Sequence, residues 1–320
     1  EPRYTIGLFS FKKTKPAPGA KVPIRGPYPD SESFERGVEN TPHEFRADDA
    51  KTWTDSARFP LFPADPRVVP AFKRISEKPR ISDNSASWFT RPYRELDASQ
   101  DKTKDDGTRL MHFTEDPPDD YWPVFKGSSF NIWTPDTGDR YAWSESDVVL
   151  SYLQEKRENS AKYMGSRSAF SAFSEEWVND PETQPALSPR LVFRDVARST
   201  DTRTVIASLI PANIFLTHKA PYLLWPKGDE VDQAYLLGVL CSIPLDWYAR
   251  RFVETNVTYG IFNSFRVPKP GRDNRLRQRV VELSGRLAAV DDRYTDWADA
   301  VGVDYGPLDE DTKQRKIYEL

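Results

Sequence analysis

The stretch Arg190 to Trp225 reads RLVFRDVARSTDTRTVIASLIPANIFLTHKAPYLLW. Three runs within it, Leu191 to Val196 (LVFRDV), Val205 to Ile210 (VIASLI) and Asn213 to Thr217 (NIFLT), are rich in aliphatic, β-branched and aromatic residues and separated by polar or proline punctuation, which predicts strands of one sheet. Working upstream, Tyr121 to Trp143 (YWPVFKGSSFNIWTPDTGDRYAW) has strand-type residues around Gly127 and a Thr134-Pro135-Asp136-Thr137-Gly138 turn, a hairpin signal. Ser144 to Tyr163 predicts a helix, with Ser144 or Ser146 as N-cap, acidic residues in its first turn and Lys156 and Arg157 towards its end. Downstream, Val231 to Cys241 and Ile243 to Glu254 predict two helices, the second begun by Pro244. Phe262 to Val267 predicts a strand closed by Pro268-Lys269-Pro270, and Arg275 to Asp292 an amphipathic helix with Leu276, Val280, Leu283, Leu287 and Val290 on one face. The fold class expected from this order is α+β, a mixed or antiparallel sheet with flanking helices, ending in a long amphipathic helix.

Residues 1–120 carry fewer clean periods. Tyr4 to Phe11 predicts a strand, Arg67 to Arg74 is compatible with a short helix or strand, and most of the rest is proline-rich or polar. The expected organisation is an irregular strand and loop region over 1–120, a core over 121–270 and a helical tail over 271–320. A length of 320 residues fits two packed units or one large irregular one. With 27 prolines against 15 glycines, 13% aromatics and 29% charged residues, the composition excludes collagen, coiled coil and full disorder. No run approaches the roughly 18 apolar residues of a membrane span, so a soluble intracellular protein is expected. The single cysteine, Cys241, and the three histidines, His43, His112 and His218, exclude an internal disulfide and zinc frameworks. The first residue is not methionine, and Lys313, Ile317 and Leu320 are spaced as in an unfinished helix, so an excised piece of a larger protein is the expectation.

The net charge of −4 conceals segregation. Arg190 to Lys227 holds six Lys/Arg against two Asp, and Arg250 to Arg279 holds eight against one Glu and one Asp, whereas Glu145 to Glu182 and Gly228 to Ala249 are net acidic. Catalysis finds no home in these residues. Asp116-Pro117-Pro118-Asp119-Asp120-Tyr121 has two aspartates where an amino-methyltransferase motif needs the aromatic, and neither a Gly-rich methyl-donor loop nor a phosphate-binding GxxxxGK[ST] occurs. Asp311-Thr312-Lys313 sits in a polar tail, and Cys241 in an apolar helix end reads as a structural thiol. What remains is an inventory suited to phosphates and base edges: Arg194, Arg198, Ser199, Thr200, Thr202 and Arg203, then Thr217, His218 and Lys219, then Asn256, Thr258, Tyr259, Asn263 and Arg266. A salt-bridged surface is the competing reading of the same residues.

Four blocks in order, Trp122 to Trp143, Arg190 to Trp225, Ala234 to Glu254 (AYLLGVLCSIPLDWYARRFVE) and Phe262 to Pro270 (FNSFRVPKP), with Tyr93-Arg94-Glu95-Leu96-Asp97 also fitting, resemble the C-terminal target-recognition region of large N6-adenine DNA methyltransferases. These belong to restriction-modification and phage-defence systems, particularly fused methylase-restriction proteins of the type IIG kind. The passage from Asn263 through Pro-x-Pro into a long helix is also similar to type I specificity subunits, where a recognition domain runs into its spacer helix. The resemblance covers roughly residues 85 to 320 and implies a target-recognition-like fold. It implies a cytoplasmic prokaryotic module that is not catalytic by itself, with double-stranded DNA as partner and a methyltransferase domain, N-terminal in that family, acting in cis. No cofactor is expected in this chain; S-adenosylmethionine is implied for the catalytic domain. The matching basic positions are Arg140, Arg194, Arg198, Arg203 and Lys219, and the expected DNA-contacting set is Lys126, Arg140, Arg194, Arg198, Thr200, Arg203, His218, Lys219, Tyr259, Asn263 and Arg266. Asp195 is expected to orient Arg194, and Tyr222 to Trp225 to lie in the core. The alternatives are a protein- or carbohydrate-binding module using exposed Trp122, Trp133 and Trp143, and a degenerate nuclease using Asp136 or Asp311.

Overall fold

A computed structural model of the chain describes residues 10, 13, 14, 17, 19–26, 28, 30–46, 53, 60, 61, 63 and 65–320. The strand expected at Tyr4 to Phe11 lies, Ser10 apart, outside the described residues. Two units divide the chain, Glu1–Pro66 and Arg67–Leu320.

In the first unit, β1 (Lys21–Ile24) pairs antiparallel with β2 (His43–Arg46), Lys21 opposite Arg46 and Ile24 opposite His43. Helix α1 (Ser31–Gly37) connects them. Asp30 starts it by accepting the Ser33 N–H at 2.7 Å, which satisfies one of the four donors a helix leaves unpaired at its N-terminus.

The second unit opens with α2 (Val69–Ser76), which settles the Arg67 to Arg74 stretch as helical, with Val69 and Phe72 on its buried side. Its β-structure falls into two sheets. One has the order β3-β9-β6-β7, built from β3 (Phe89–Tyr93), β6 (Arg190–Phe193), β7 (Ala207–Ile210) and β9 (Tyr222–Lys227), antiparallel throughout. The other has the order β5-β4-β8, from β4 (Tyr121–Phe125), β5 (Ala142–Glu145) and the two-residue β8 (Phe215–Leu216). The expected hairpin is the antiparallel β4–β5 pair, while β8 runs parallel to β4. Asn213 to Thr217 therefore does not share a sheet with β6 and β7, although all four residues of each of those strands are buried as expected. Pro92 is tolerated because β3 is an edge strand with β9 on one side only.

Helix α3 (Ser146–Met164) follows β5 directly. Glu145 takes the N-cap position, and Ser144 is a buried strand residue whose hydroxyl donates to the Leu110 carbonyl at 2.5 Å. After the short α4 (Glu175–Asn179) and the sheet strands come α5 (Glu230–Cys241), α6 (Ile243–Ala249), α7 (Tyr259–Ser264), α8 (Arg275–Ala288), α9 (Thr295–Val301) and α10 (Glu310–Glu319). Of the segment expected as a strand, Phe262 to Val267, Arg266 makes an isolated antiparallel bridge with Arg80, while the part up to Ser264 belongs to helix α7. Thr258 caps it, and Phe262 and Phe265, three apart, bury one helical face, with Phe262 stacked on Phe193 at 4.2 Å. In α8 the buried residues include Arg277, Val281, Ser284 and Ala288, while Leu276 is 79% exposed and the helix stops at Ala288. Of the expected face, Leu283 and Leu287 are buried and Val280 and Val290 half-buried, while Leu276 is not, and α5 approaches the helix closely. A Cβ on Gly238 of α5 would stand 2.7 Å from the Val280 side chain, and the Ser284 hydroxyl donates to the Ala234 carbonyl at 2.6 Å. No helix among the described residues is long and apolar enough to cross a membrane.

Candidate nucleic-acid interface

The exposed edge of β3, the C-terminal half of α3 and helix α7 enclose a cleft of about 790 Å³. Four cations line it, Arg91 and Arg94 from β3 and its exit, Lys156 from α3 and Arg167 just beyond α3, and no aspartate or glutamate among the described residues does. Tyr93, Tyr259, Asn159 and Asn263 are interleaved with them. Lys156, Asn159 and Ser160 lie three and four residues apart, so one face of α3 delivers all three, and Tyr259 and Asn263 stand four apart on α7.

The cations differ in freedom. Arg91 donates from Nη1 to the Ser171 hydroxyl at 2.9 Å and the Ser168 carbonyl at 3.2 Å. Lys156 donates to the Glu95 carbonyl at 2.7 Å and to Asp101 at 3.0 Å, so it is held from behind. Arg94 is half exposed and reaches Asp97 only at 3.5 Å, and Arg167 is exposed with no hydrogen bond or ion pair among the described residues. Burial pushes the Tyr259 hydroxyl above its ordinary pKa, so it stays protonated and able to donate. The Asn263 Oδ1 is buried with no donor facing it.

Of the expected contact residues, the cleft brings together Tyr259 and Asn263. The others stand elsewhere, and most are engaged. Arg140 grips Asp136 with two hydrogen bonds of 2.6 and 2.5 Å and lies over the Phe125 ring, while Lys126 pairs with Asp139 at 3.1 Å. Burial pushes the Asp136 carboxyl up, but hydrogen bonds from Arg140 and the Gly138 N–H outweigh it and leave Asp136 below its usual value. Arg194 donates to the Gly127 and Phe130 carbonyls at 2.7 and 2.8 Å, locking the β4–β5 connection against β6, and burial lowers its pKa. Gly127 packs tightly there: a Cβ would meet the Arg194 side chain at 3.0 Å and the Lys219 carbonyl at 3.1 Å. Asp195 does not orient Arg194; it binds Lys219 at 3.0 Å and the Asn256 amide at 3.1 Å.

Arg203 donates to the Cys241 carbonyl at 2.5 Å at the C-terminus of α5, and Arg266 donates to the Lys78 carbonyl at 3.0 Å. His218 accepts the Ala98 N–H on Nδ1 at 3.2 Å. Arg198 and Thr200 are exposed on the loop after β6, and the Arg198 side chain has no partner among the described residues. Arg157 is buried, its guanidinium 4.8 Å from the Trp177 ring centre.

Sequence reasoning missed Arg91, Arg94, Lys156, Asn159 and Arg167. Arg94 sits in the Tyr93 to Asp97 block, and the spacing of Lys156, Asn159 and Ser160 is a helical face. The acidic sum over Glu145 to Glu182 masked that face, because Glu155 and Glu158 are exposed and line no part of the cleft.

Other chemistry is thinly provided. Trp133 is buried at 5% exposure, and Trp122 and Trp143 are half-buried, Trp122 stacked on Phe215, so the three tryptophans do not form an exposed platform. Cys241 is buried and its thiol is pushed up to about 12 by desolvation, as a structural cysteine requires. No group of three or more His, Cys, Asp or Glu among the described residues can hold a metal ion.

No protein-family model matches the chain, and no curated protein does. Among solved structures, the chain is similar to the type IIG restriction endonuclease BpuSI, with 15% identity and a TM-score of 0.38 over 79% of this chain. The match covers 32% of that chain, so this sequence spans about a third of the length of the protein it resembles.

Proposed function

We propose that this chain recognises duplex DNA, as the target-recognition part of an N6-adenine methyltransferase of the restriction-modification kind, with no catalysis of its own. The observation that carries the reading is the cleft in which four cations meet two tyrosines and two amides, with no carboxylate of the described residues on its wall. Asp101 balances Lys156 from behind, whereas Arg167 has no counter-charge among the described residues and Arg94 only a distant one, and a polyanion supplies it. Arg198 and Thr200 on the β6–β7 loop extend the same surface chemistry. The four sequence blocks in family order support the narrower identification.

S-adenosylmethionine is the methyl donor that the family resemblance implies for the parent enzyme. On this reading the methyl donor belongs to a separate domain acting in cis.

The test is fluorescence anisotropy of the 320-residue chain with a labelled duplex across a salt series. Binding at low salt is expected, with log K falling linearly in log salt at roughly 0.9 per phosphate neutralised. Arg167→Ala and Arg198→Ala are each expected to weaken binding and to reduce the slope by about one. No duplex binding at low salt would sink the proposal.

A further inference from the structure

The cleft is more than a charged wall, because its free groups are arranged in two kinds. On one side stand Arg94 and Arg167, the two cations not held by strong internal bonds. On the other stands Tyr259, 36% exposed, with Asn263 one helical turn along the same face of α7. The Asn263 amide lines the cleft, its Oδ1 buried beneath the surface and without a donor. An amide beside an aromatic face, with guanidinium groups on the other elements, is complementary to a heterocyclic base linked to a phosphate. The volume of about 790 Å³ lies within the usual range for small-ligand sites, so the cleft has room for a single base beside the cations that a strand's phosphates meet.

We infer that the β3–α3–α7 cleft holds a single unstacked nucleotide unit, with its base on the Tyr259 ring and the Asn263 amide and its phosphate between Arg94 and Arg167. This deepens the DNA-binding reading and rests on it for its surroundings, but the chemistry is that of one nucleotide, whether free or part of a strand. Stacking on an aromatic side chain is indifferent to sequence, so the site adds affinity wherever a base leaves the helix.

The experiment uses the intact chain and four probes: deoxyadenosine monophosphate, inorganic phosphate, a short single strand and a duplex sealed at both ends by hairpin loops too short to expose a base. The expected result is that the mononucleotide competes with the single strand and phosphate at equal concentration does not. Tyr259→Ala should weaken single-strand binding at least about fivefold, from the loss of one stacked base. Tyr259→Phe should retain it, and sealed-duplex binding should change less than about twofold in either variant. Arg167→Ala should weaken mononucleotide binding as well. The inference is overturned if inorganic phosphate competes as well as the mononucleotide, or if Tyr259→Ala leaves single-strand binding intact. Sealed-duplex binding at low salt without mononucleotide binding would remove the nucleotide site and leave the DNA reading standing. Mononucleotide binding without any duplex binding would do the reverse, assigning the site to a free nucleotide.

Discussion

Glu95, just past the end of β3, and Arg190, the first residue of β6, meet at 2.8 Å with side chains only 3% and 4% exposed. The second Glu95 oxygen accepts the Leu216 N–H of β8 at 2.7 Å, and Arg190 also donates to the Ile214 carbonyl at 2.6 Å. One buried ion pair thereby ties the four-stranded sheet to the three-stranded one. Its geometry sets where Arg94, the next residue along, leaves the sheet and enters the cleft. Burial raises the Glu95 carboxyl, and the Arg190 charge and the Leu216 N–H oppose that rise.

Removing one partner should be far worse than replacing both. Glu95→Ala leaves Arg190 buried and uncompensated, a loss on the order of 3–5 kcal/mol. Urea denaturation checks this. A double change of Glu95 and Arg190 to Gln and Met that cost as much as Glu95→Ala would show that the pair is not the source.

Arg194 and Arg198, four residues apart, should separate cleanly in their effects. Arg194→Ala orphans the Gly127 and Phe130 carbonyls and should lower stability by about 1–3 kcal/mol. Arg198→Ala removes an unpartnered exposed side chain and should leave the melting temperature unchanged while weakening DNA binding. Thermal melts alongside anisotropy distinguish the two. Equal melting temperatures for both variants would contradict the assignment of Arg194 to the scaffold.

The close approach of α5 and α8 predicts coupling between Gly238 and Val280. Gly238→Ala places a methyl 2.7 Å from the Val280 side chain and should destabilise by roughly 1–3 kcal/mol through overpacking. Val280→Ala in the same chain should restore part of that loss, and a double-mutant cycle on unfolding free energies measures it. Strict additivity would mean that the helices are not held by this contact.

Cys241 offers a pH-based check. Its thiol is moved from an ordinary value of 9.0 to about 12, so the thiolate fraction near pH 8 is about a thousandfold below that of a free cysteine. Because the folded value lies above the unfolded one for a group charged only when deprotonated, the folded state disfavours the thiolate. Stability from this source is fully present below pH 9 and is lost as the pH rises from 9 towards 12. Alkylation by iodoacetamide at pH 8 should be negligible until denaturant is added. Rapid labelling of the native chain would place Cys241 outside the core.

Much of the fold was legible because its signals were local. Leu191 to Phe193 and Ala207 to Ile210 are short aliphatic runs between turns, and they are strands. Helix α5 begins one residue before the expected Val231 and α6 at the expected Ile243, although α6 stops at Ala249 rather than Glu254. Phe262 to Val267 misled because its aromatics look like strand residues, whereas the spacing of Phe262 and Phe265 and the preceding Thr258 favour a helix. The sheet of Phe215 and Leu216 was not legible either. Two residues carry no periodicity, and their partner β4 lies some ninety positions upstream. The site was legible in residue type and only partly in place. Whether an arginine faces outward depends on what carbonyl or carboxylate waits within 3 Å, which for Arg194 and Arg203 is set by distant segments.

The chain from Ala207 to Lys227 contributes β7 to one sheet, β8 to the other and β9 back to the first. Neither sheet can therefore be lifted out or replaced while the other is kept. A recombination breakpoint between β6 and β8 would divide both sheets, and one between β8 and β9 would still take β9 from the four-stranded sheet. For anyone building chimeras to transfer binding preference between proteins of this architecture, the smallest exchangeable piece runs from the start of β3 to the end of β9, while the exposed tip around Arg198 and Thr200 can be redrawn without touching the lacing.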